Sequence, residues 1–260
     1  MAKAKYELEN GVALITLSDP ATLNAISVEM TEELTVLFDR AAEEARCIVL
    51  TGEGRGFSSG ANLASGAPSL ADDGEPDLGA RLEQTFNPFV AKLRDLPVPY
   101  VTAVNGAAAG IGCSFALLGD LIVAGESAYF LQAFRRIGLV PDGSATYHLP
   151  RMIGRARAME MMLLGEKIHA KQAHEWGLVN RYVPDADLLP TAKALALELA
   201  NGPTKTLGMI RRLSWSSLDN SWDEQLDAER QAQKIAGRTQ DFREGVQAFF
   251  QKRPANFKGS

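Results

Sequence analysis

The sequence predicts an α/β fold, and two observations carry this prediction. Up to about residue 154, short apolar runs alternate with amphipathic stretches whose apolar residues recur at helical spacing, so strands and helices follow one another. Beyond that point the pattern is helical almost throughout. This order is typical of sheets layered against helices and followed by a helical part. We expect residues 1–198 to form the core and residues 199–260 a helical C-terminal region.

The predicted elements begin with a hairpin. Two strands, at residues 6–9 and at Val12–Leu17, flank Asn10-Gly11, the strongest short signal for a two-residue turn. Ser27 is a good N-cap for a helix that runs to about residue 45, because apolar side chains recur there at helical spacing. A strand at residues 47–50 follows this helix.

Later elements alternate in the same way. Residues 65–77 are small, polar and acidic, which predicts a surface loop. After it we expect a helix at 78–96, a buried strand at 99–104, a turn at 105–109, a helix at 110–118 and a strand at 121–123. Further helices are predicted at 155–165, 170–177, 186–201, 203–216 and 221–250, with one strand at 179–183.

Composition excludes several kinds of protein. The 260 residues include 27 Lys and Arg against 32 Asp and Glu, and this net charge of −5 disfavours a nucleic-acid partner. Residues 96–119 are uncharged, but their prolines and glycines fit a buried strand, turn and helix better than a membrane span. Cys47 and Cys113 lie in apolar stretches, as buried thiols in a reducing compartment do. Since the N-terminus shows no signal pattern, we expect a cytoplasmic protein.

A serine hydrolase signature, G-x-S-x-G, occurs at Gly56-Phe57-Ser58-Ser59-Gly60. A nucleophile elbow places its serine on the turn directly between a strand and a helix, but residues 51–57 separate Ser58 from the preceding strand. Of the later histidines, His148 fits a structural role in a helix, whereas His169 and His174 fit a solvated surface. We therefore predict that the chain is not an esterase.

Two glycine-rich junctions, at residues 57–63 and 105–113, remain as candidate binding elements. Neither Gly52-Glu53-Gly54 nor Gly110-Ile111-Gly112 continues as a dinucleotide fingerprint, since Phe stands where the third glycine belongs. The histidines are isolated from other ligand residues, so we expect no metal and no nicotinamide. Glycines at such junctions let main-chain N–H groups approach a ligand, and two N–H groups converging on one oxygen make an oxyanion hole.

Five segments in order carry a resemblance to a known family: Leu23-Asn24-Ala25-Ile26-Ser27, and residues 56–63, 104–113, 118–124 and 250–257. Over nearly its whole length the chain resembles the crotonase (enoyl-CoA hydratase/isomerase) superfamily. The resemblance implies a crotonase (ClpP-like) fold of repeated ββα units that form a spiral, with a helical C-terminal trimerisation region. It also implies an acyl-CoA substrate, no cofactor other than the coenzyme A that is part of this substrate, and a homotrimer or a dimer of trimers.

The resemblance implies roles for particular residues. The main-chain N–H groups of Ser59 and Ile111 are expected to hold the thioester carbonyl oxygen. Coenzyme A contacts are implied at Ala25, Ile26, Gly60, Asn62 and Leu63, with Lys252 near the phosphates. Ser114, Phe134 and Gly110 are implied to line the substrate pocket.

The carboxylates decide which reaction the resemblance implies. Hydratases of the family use two glutamates, and the matching positions here are Ser114 and Phe134. A carboxylate follows at Asp142, in a segment that is similar to the ring-1,2-epoxyphenylacetyl-CoA isomerases and Δ3,Δ2-enoyl-CoA isomerases. One carboxylate suffices to move a proton from the α to the γ carbon of an enoyl thioester. Burial would raise the pKa of Asp142 toward the range that such a base needs.

Three alternatives remain open at this point. Asp142 could instead cap a helix that begins near residue 143. The protein could be an enoyl-CoA hydratase, a lyase, with an acid not yet identified. It could also bind acyl-CoA without catalysis, because neither glutamate is present. We predict a CoA-thioester isomerase that uses Asp142 and shifts a double bond or opens a ring epoxide.

Overall fold

Two β-sheets and the helices around them organise residues 2–63 and 69–260, which the computed structural model describes. The strands are β1 (Ala4–Glu9), β2 (Val12–Leu17), β3 (Cys47–Gly52), β4 (Gly56–Ser58), β5 (Ser69–Leu70), β6 (Pro76–Asp77), β7 (Tyr100–Val104), β8 (Ala107–Ala109), β9 (Leu121–Gly125), β10 (Tyr129–Leu131), β11 (Ile168–His169) and β12 (Arg181–Val183). The helices are α1 (Val28–Glu44), α2 (Gly79–Arg81), α3 (Asn87–Asp95), α4 (Ile111–Leu117), α5 (Ala145–Leu164), α6 (Ala170–Trp176), α7 (Leu188–Ala200), α8 (Thr204–Ser216), α9 (Trp222–Ala236) and α10 (Gln240–Gln251).

Pairs of strands followed by a helix repeat along the chain. The larger sheet has the order β1-β2-β3-β7-β9-β12, and the smaller one has the order β11-β10-β8-β4. In each of the pairs β3 and β4, β7 and β8, and β9 and β10, the first strand joins the larger sheet and the second joins the smaller one. The strands of successive pairs run parallel within each sheet. The smaller sheet therefore stacks the segments that carry both glycine-rich junctions.

The β1–β2 hairpin and helix α1 form through the turn and the N-cap that the sequence predicts. Asn10 and Gly11 both have positive φ, 51° and 76°, and the turn they make sets the antiparallel register from Glu9 opposite Val12 to Ala4 opposite Leu17. The hydroxyl of Ser27 accepts a hydrogen bond from the Met30 amide and caps α1, as predicted. The hairpin and the first helix are thus confirmed.

The apolar core has two parts, one on each face of the larger sheet. One face of β2 and β3, together with α1 and the smaller sheet, buries large side chains, including Phe38, Phe57 and Tyr100. The opposite face packs against α7, whose alanines allow the helix to lie close to the strands. Alternation along β2 supplies both parts, since Ile15 faces the first and Leu14 the second.

Several predicted elements need correction in the C-terminal half. The helix predicted at 221–250 is two helices, α9 and α10, because Thr239 accepts a hydrogen bond from the Phe242 amide and caps a new one. Helix α5 starts at Ala145, earlier than predicted, and Gly154 interrupts it with φ 76° and ψ 157°. The proposed boundary at residue 199 stays a prediction.

Other corrections lie near the glycine-rich junctions. Residues 107–109, predicted as part of a turn, form strand β8, which pairs with β4 and β10. The predicted loop at 65–77 contains the short strands β5 and β6, while its residues 65–68 lie outside the described residues. The predicted helix at 78–96 includes a π-helical segment at Leu82–Phe86 between α2 and α3. Strand β10 was not expected from the sequence.

Helix α8 is held to the core by a buried arginine. Arg211 donates to Asp120 Oδ2 at 2.7 Å and also to the main-chain oxygens of Leu93, Arg94 and Leu96. Its side chain is 4% exposed, so these partners replace water for its guanidinium. Within residues 2–63 and 69–260, no helix is long and apolar enough to cross a membrane.

Candidate active site

The two glycine-rich junctions meet between β4 and β8. A side chain added to Gly60 would place its Cβ 2.9 Å from the Ala109 oxygen, and one added to Gly110 would lie 3.8 Å from the Gly60 Cα. Gly60 also has a φ of 99° and Gly110 a φ of 52°, a region that glycine adopts without strain. Only glycine fits at either position, and the close main-chain contact brings residues 59–61 beside the first turn of α4.

The Ser59 amide is already used, which corrects one predicted role. Ser59 donates its main-chain N–H to the Leu23 oxygen at 2.8 Å, so this amide is not available to a substrate. Its hydroxyl donates to the Thr22 oxygen. The expected role of the Ser59 amide as a free donor is therefore not met.

In contrast to the Ser59 amide, the main-chain N–H of Ala61 donates no hydrogen bond to any residue that the structure describes. Residues on either side of it form a parallel bridge with Ile26: Ile26 donates to the Gly60 oxygen, and Asn62 donates to the Ile26 oxygen, each at 2.8 Å. Because successive N–H groups of an extended chain point in opposite directions, the Ala61 N–H points away from this bridge. Within the described chain, it has no acceptor.

Ile111 offers the second free amide. It is the first residue of α4, where N–H groups have no acceptor inside the helix. Gly110, which precedes it, donates its own N–H to the Leu131 oxygen at 2.8 Å and so fixes the helix start against β10. The positive end of the helix dipole lies at this N-terminus and, together with the Ile111 N–H, attracts an anionic oxygen.

Ser58 supports the site and is not a nucleophile. It is fully buried, donates to the Asn24 oxygen at 2.8 Å and accepts from the Gly60 amide at 3.2 Å. A Cβ on Gly112 would lie 2.5 Å from its hydroxyl oxygen, so helix α4 packs directly on it. These hydrogen bonds and the packing of α4 therefore account for Ser58 in the G-x-S-x-G pattern.

Two asparagines, Asn24 and Asn105, hold the loop that leads to residues 59–61, and sequence reasoning gave them no such role. Asn24 is fully buried and donates to the oxygens of Glu53 and Gly56, while Asn105 donates to those of Gly54 and Gly56. Their side chains replace the strand partners that an irregular loop lacks. Asn-Ala and Asn-Gly stand inside quoted motifs, and asparagine's ability to bond to nearby backbone was the available signal.

The loop that carries Asp142 is pressed onto α4. Ser114 donates its hydroxyl to the Asp142 main-chain oxygen at 3.0 Å, and the Ala145 amide donates to the same oxygen at 3.1 Å. A Cβ on Gly143 would lie 2.7 Å from the Ser114 Cβ and 3.3 Å from Ile111 Cγ1. The loop that carries Asp142 and the first turn of α4 are therefore in direct contact.

The Asp142 side chain is half-buried, and one of its two carboxyl oxygens is buried without a partner in the described chain. Its Oδ1 is inaccessible and accepts no hydrogen bond from the described residues. Burial raises the pKa of Asp142 to about 6. The side chain does not cap α5, because Ser144 is the N-cap residue there and no side-chain bond closes the helix start. The capping role considered from the sequence is therefore wrong.

The two positions that carry glutamates in hydratases hold other chemistry here. Ser114 is fully buried and uses its hydroxyl on the Asp142 loop. Phe134 is buried, and its ring lies 3.7 Å from where a Cβ on Gly110 would stand. The structure thus brings Ser114, Phe134 and Gly110 together with Asp142 and Ile111.

Most of the residues predicted to contact coenzyme A lie close together in the structure. Ala25 and Ile26 lie beside Gly60 and Asn62 through the parallel bridge, and Leu63, just beyond it, is 70% exposed. Lys252 lies apart, as the C-cap residue of α10, and makes no side-chain hydrogen bond or ion pair within the described chain. Its predicted place near the phosphates stays a prediction.

Three other buried titratable side chains, His148, Cys47 and Cys113, are neutral at pH 7. His148 is buried, and burial lowers its pKa to about 4. Cys47 and Cys113 are buried as predicted, and burial raises the pKa of each thiol to about 12. In residues 2–63 and 69–260, no group of three or more His, Cys, Asp or Glu side chains could hold a metal ion.

Comparison with known proteins agrees with this geometry. The model of the enoyl-CoA hydratase/isomerase family matches residues 7–260. The chain is 44% identical to the 1,2-epoxyphenylacetyl-CoA isomerase of Escherichia coli, over 97% of each chain. It is 36% identical to the 2,3-dehydroadipyl-CoA hydratase of the same organism, over 100% of each.

Solved structures show the same architecture. The crystal structure of an enoyl-CoA hydratase from Bacillus anthracis is 28% identical and superposes with a TM-score of 0.91, covering 99% of this chain and 100% of that one. The crotonase fold expected from the sequence is therefore confirmed, with its repeated ββα units and its C-terminal helices. This chain belongs to the enoyl-CoA hydratase/isomerase family, the crotonase superfamily.

Proposed function

We propose that the protein is an acyl-CoA isomerase in which Asp142 moves a proton between the α and γ carbons of an enoyl thioester. The observation that carries this proposal is the half-buried Asp142 carboxyl, whose Oδ1 is buried and, among the described residues, unpartnered, on a loop that packs against the first turn of α4. A carboxylate whose pKa is about 6 is ionised at neutral pH yet basic enough to remove an activated proton.

The oxyanion hole makes the α proton acidic. We assign the two donors to the Ala61 and Ile111 amides, since both are free and their segments are in contact. Removing one such donor typically costs about 3–4 kcal/mol of transition-state stabilisation. With the enolate oxygen held there, Asp142 takes the α proton, the double bond shifts, and the protonated Asp142 returns the proton to the γ carbon.

Substrates with a ring epoxide fit the same chemistry, and a relative is named for one. In that case, the carbon–carbon bond bridged by the epoxide oxygen breaks and the ring expands to an enol ether with both C–O bonds retained. Asp142 then takes the α proton while the oxyanion hole holds the enolate oxygen, and it returns the proton to the γ carbon in the ring. The acyl group of this chain's own substrate is therefore proposed as either a 3-enoyl chain or an aromatic-derived ring.

Hydration is the second candidate, favoured by the relative that is named a hydratase. Addition of water across a double bond needs an activated water and a proton for the α carbon. Asp142 supplies one carboxylate, but Ser114 and Phe134 supply neither of the two that the hydratase pattern requires. Isomerisation is thus the better supported reaction.

Incubation with 3-hexenoyl-CoA and with 2-hexenoyl-CoA in water labelled with oxygen-18 separates the two reactions. We expect 3-hexenoyl-CoA to give 2-hexenoyl-CoA without label, and 2-hexenoyl-CoA to give no labelled hydroxyacyl product. Labelled 3-hydroxyhexanoyl-CoA formed at a rate comparable to isomerisation would establish hydration instead. Acyl-CoA binding without either reaction would indicate a non-catalytic homologue for these substrates, and an aryl ring-epoxide thioester would then be tested.

We also propose that the chain acts as a homo-oligomer. Helices α9 and α10 present large apolar side chains that the chain itself leaves exposed: Trp222, Leu226, Ile235, Phe242, Phe249 and Phe250. Exposed apolar faces of this kind are typical of subunit interfaces. Analytical ultracentrifugation is expected to show a trimer or hexamer, and a monomer at micromolar concentration would contradict the proposal.

A further inference from the structure

A cavity is lined in part by Ser144, two residues after Asp142. It has a volume of about 680 Å³ and lies between α3, the start of α5 and the end of α8. Its wall includes the apolar or aromatic side chains of Val90, Leu118, Tyr147 and Trp215. Ser144 lines the wall closest in sequence to Asp142. A cavity of this size holds a phenyl ring or a medium acyl chain.

Ser144 is held in an unusual backbone conformation. Asp142 to Ala145 form a tight turn closed by the Ala145 amide and the Asp142 oxygen, and both central residues have positive φ: 60° at Gly143 and 66° at Ser144. A serine rarely adopts this region, and non-glycine residues that do so are enriched at functional sites. As the N-cap residue of α5, Ser144 nevertheless makes no capping bond with its hydroxyl.

The Ser144 hydroxyl is instead held by a histidine. Ser144 Oγ lies 3.1 Å from Nδ1 of His148, one turn further along α5. His148 is 2% exposed, and its Nε2 has no hydrogen-bond partner. A buried N–H without an acceptor is rarer than an unpaired acceptor, which places the ring proton on Nδ1.

This arrangement leaves the serine proton unused. With Nδ1–H donating to it, Ser144 Oγ acts as acceptor toward the histidine and keeps its own O–H as a donor. Within the described chain, no acceptor takes that proton. The cavity wall combines charged side chains, Arg94, Asp95, Arg212 and Asp219, with the apolar ones named above. A half-buried hydroxyl with an unpaired proton in such a wall is the kind of polar group that orients a ligand.

We propose that Ser144, positioned by His148, selects CoA thioesters whose acyl group carries an oxygen atom on its β or γ carbon, such as a ring epoxide or ring hydroxyl. Asp142 acts at the α and γ carbons, and Ser144, two residues later in the same turn, lines a cavity large enough for the rest of the acyl group. In this proposal, that part of the acyl group lies against the Ser144 hydroxyl. The inference rests on the proposed acyl-CoA isomerase function and names its substrate class.

Binding of two unreactive analogues tests the inference without requiring turnover. Calorimetric titration with 2-hydroxyphenylacetyl-CoA and phenylacetyl-CoA gives a ratio of dissociation constants for the wild type and each variant. One hydrogen bond corresponds to a preference of about threefold to tenfold for the hydroxylated analogue. In Ser144→Ala this preference falls to near unity. Thr146→Ala, which removes an exposed hydroxyl from the same helix, keeps it.

The role of His148 has its own variants. His148→Asn places a side-chain N–H near the former Nδ1 and retains part of the preference, whereas His148→Leu loses it. A merely structural histidine would weaken binding of both analogues equally and leave their ratio unchanged, which would overturn its positioning role.

The inference and the proposed function fail in different ways. A wild type without preference, or a Ser144→Ala variant that keeps it, overturns the inference even if 3-hexenoyl-CoA is isomerised. A wild type that shows the preference but isomerises neither 3-hexenoyl-CoA nor a ring epoxide supports the inference and overturns the isomerase assignment.

Discussion

Ser114 donates its hydroxyl to the main-chain oxygen of Asp142 across 3.0 Å. The position at which hydratases carry a glutamate thus holds a small residue that fastens the loop bearing a different carboxylate. The two features depend on each other, because Gly143 lies so close to Ser114 that a longer side chain would displace the loop. The proposed site therefore carries a carboxylate at position 142 and none at position 114.

Loss of this fastening should slow catalysis without abolishing it. In Ser114→Ala the Asp142 oxygen keeps the Ala145 amide but loses the hydroxyl, a change worth about 1 kcal/mol. We expect isomerase kcat to fall about threefold to tenfold, measured with 3-hexenoyl-CoA, while Ser217→Ala, at an exposed position, leaves it unchanged. Unaltered kcat in Ser114→Ala would show that the bond does not position Asp142.

The pH dependence of the reaction follows from Asp142. As a base, it must be ionised in the free enzyme, and its pKa is about 6. We expect kcat/KM to rise tenfold per pH unit below about pH 6 and to level off above it. A limb near pH 4, the ordinary range of an aspartate, would indicate that Asp142 is exposed to solvent or is not the base.

The same group should lower stability at neutral pH. Because the folded pKa lies above that of the unfolded chain, the folded state binds more protons between about pH 4 and pH 6, and stability falls as pH rises through this window. Removing the charge in Asp142→Asn should therefore raise the free energy of unfolding at pH 8 by up to about 3 kcal/mol. Urea unfolding at pH 8 and pH 4 measures this, and the gain should disappear at pH 4.

Backbone substitution can identify the oxyanion donors. Replacing Ala61 by lactic acid exchanges its N–H for an ester oxygen and leaves the side chain intact. We expect kcat to fall about 100-fold to 1,000-fold. The matched control is the ester at Ser59, whose amide serves the Leu23 oxygen; it should cost stability with little effect on kcat. The reverse pattern would restore Ser59 as the donor.

Arg211 should be among the most sensitive positions for stability. Arg211→Met leaves Asp120 buried without its partner and frees the carbonyls that the guanidinium satisfies, a loss of about 3–5 kcal/mol in the free energy of unfolding. The neighbouring Arg212 is exposed, and Arg212→Met should change it by less than about 0.5 kcal/mol. Equal effects in urea unfolding would contradict the role given to Arg211.

Local patterns in the sequence were enough for most of the fold. Asn10-Gly11, Ser27 and the apolar periodicity of α1 are short-range signals, and each forms the predicted element. Strands β8 and β10 escaped prediction because they are three residues long and are defined by pairing with each other and with β4, which no local pattern reveals. The break between α9 and α10 was readable at Thr239, but the continuing helical period outweighed it.

The site shows the same division. The two glycine junctions could be found from residue type and spacing, and Asp142 from the resemblance of its segment to isomerases of the family. The structure brings the three segments together. The sequence alone could not decide between the Ser59 and Ala61 amides. The decision depends on which N–H donates to the Leu23 oxygen and which points away from Ile26. The Ser144–His148 contact could not be predicted either, because it depends on the positive φ of Ser144, which no local sequence pattern indicates.

Proton exchange in D2O tests the central role of Asp142 most directly. Wild type and Asp142→Asn are incubated with 3-hexenoyl-CoA, and deuterium at the α carbon and 2-hexenoyl-CoA are followed by mass spectrometry. We predict exchange and isomerisation in the wild type, and in the variant a loss of both by at least about 100-fold with acyl-CoA binding retained. Exchange that continues unchanged in Asp142→Asn would contradict the assignment and require another base.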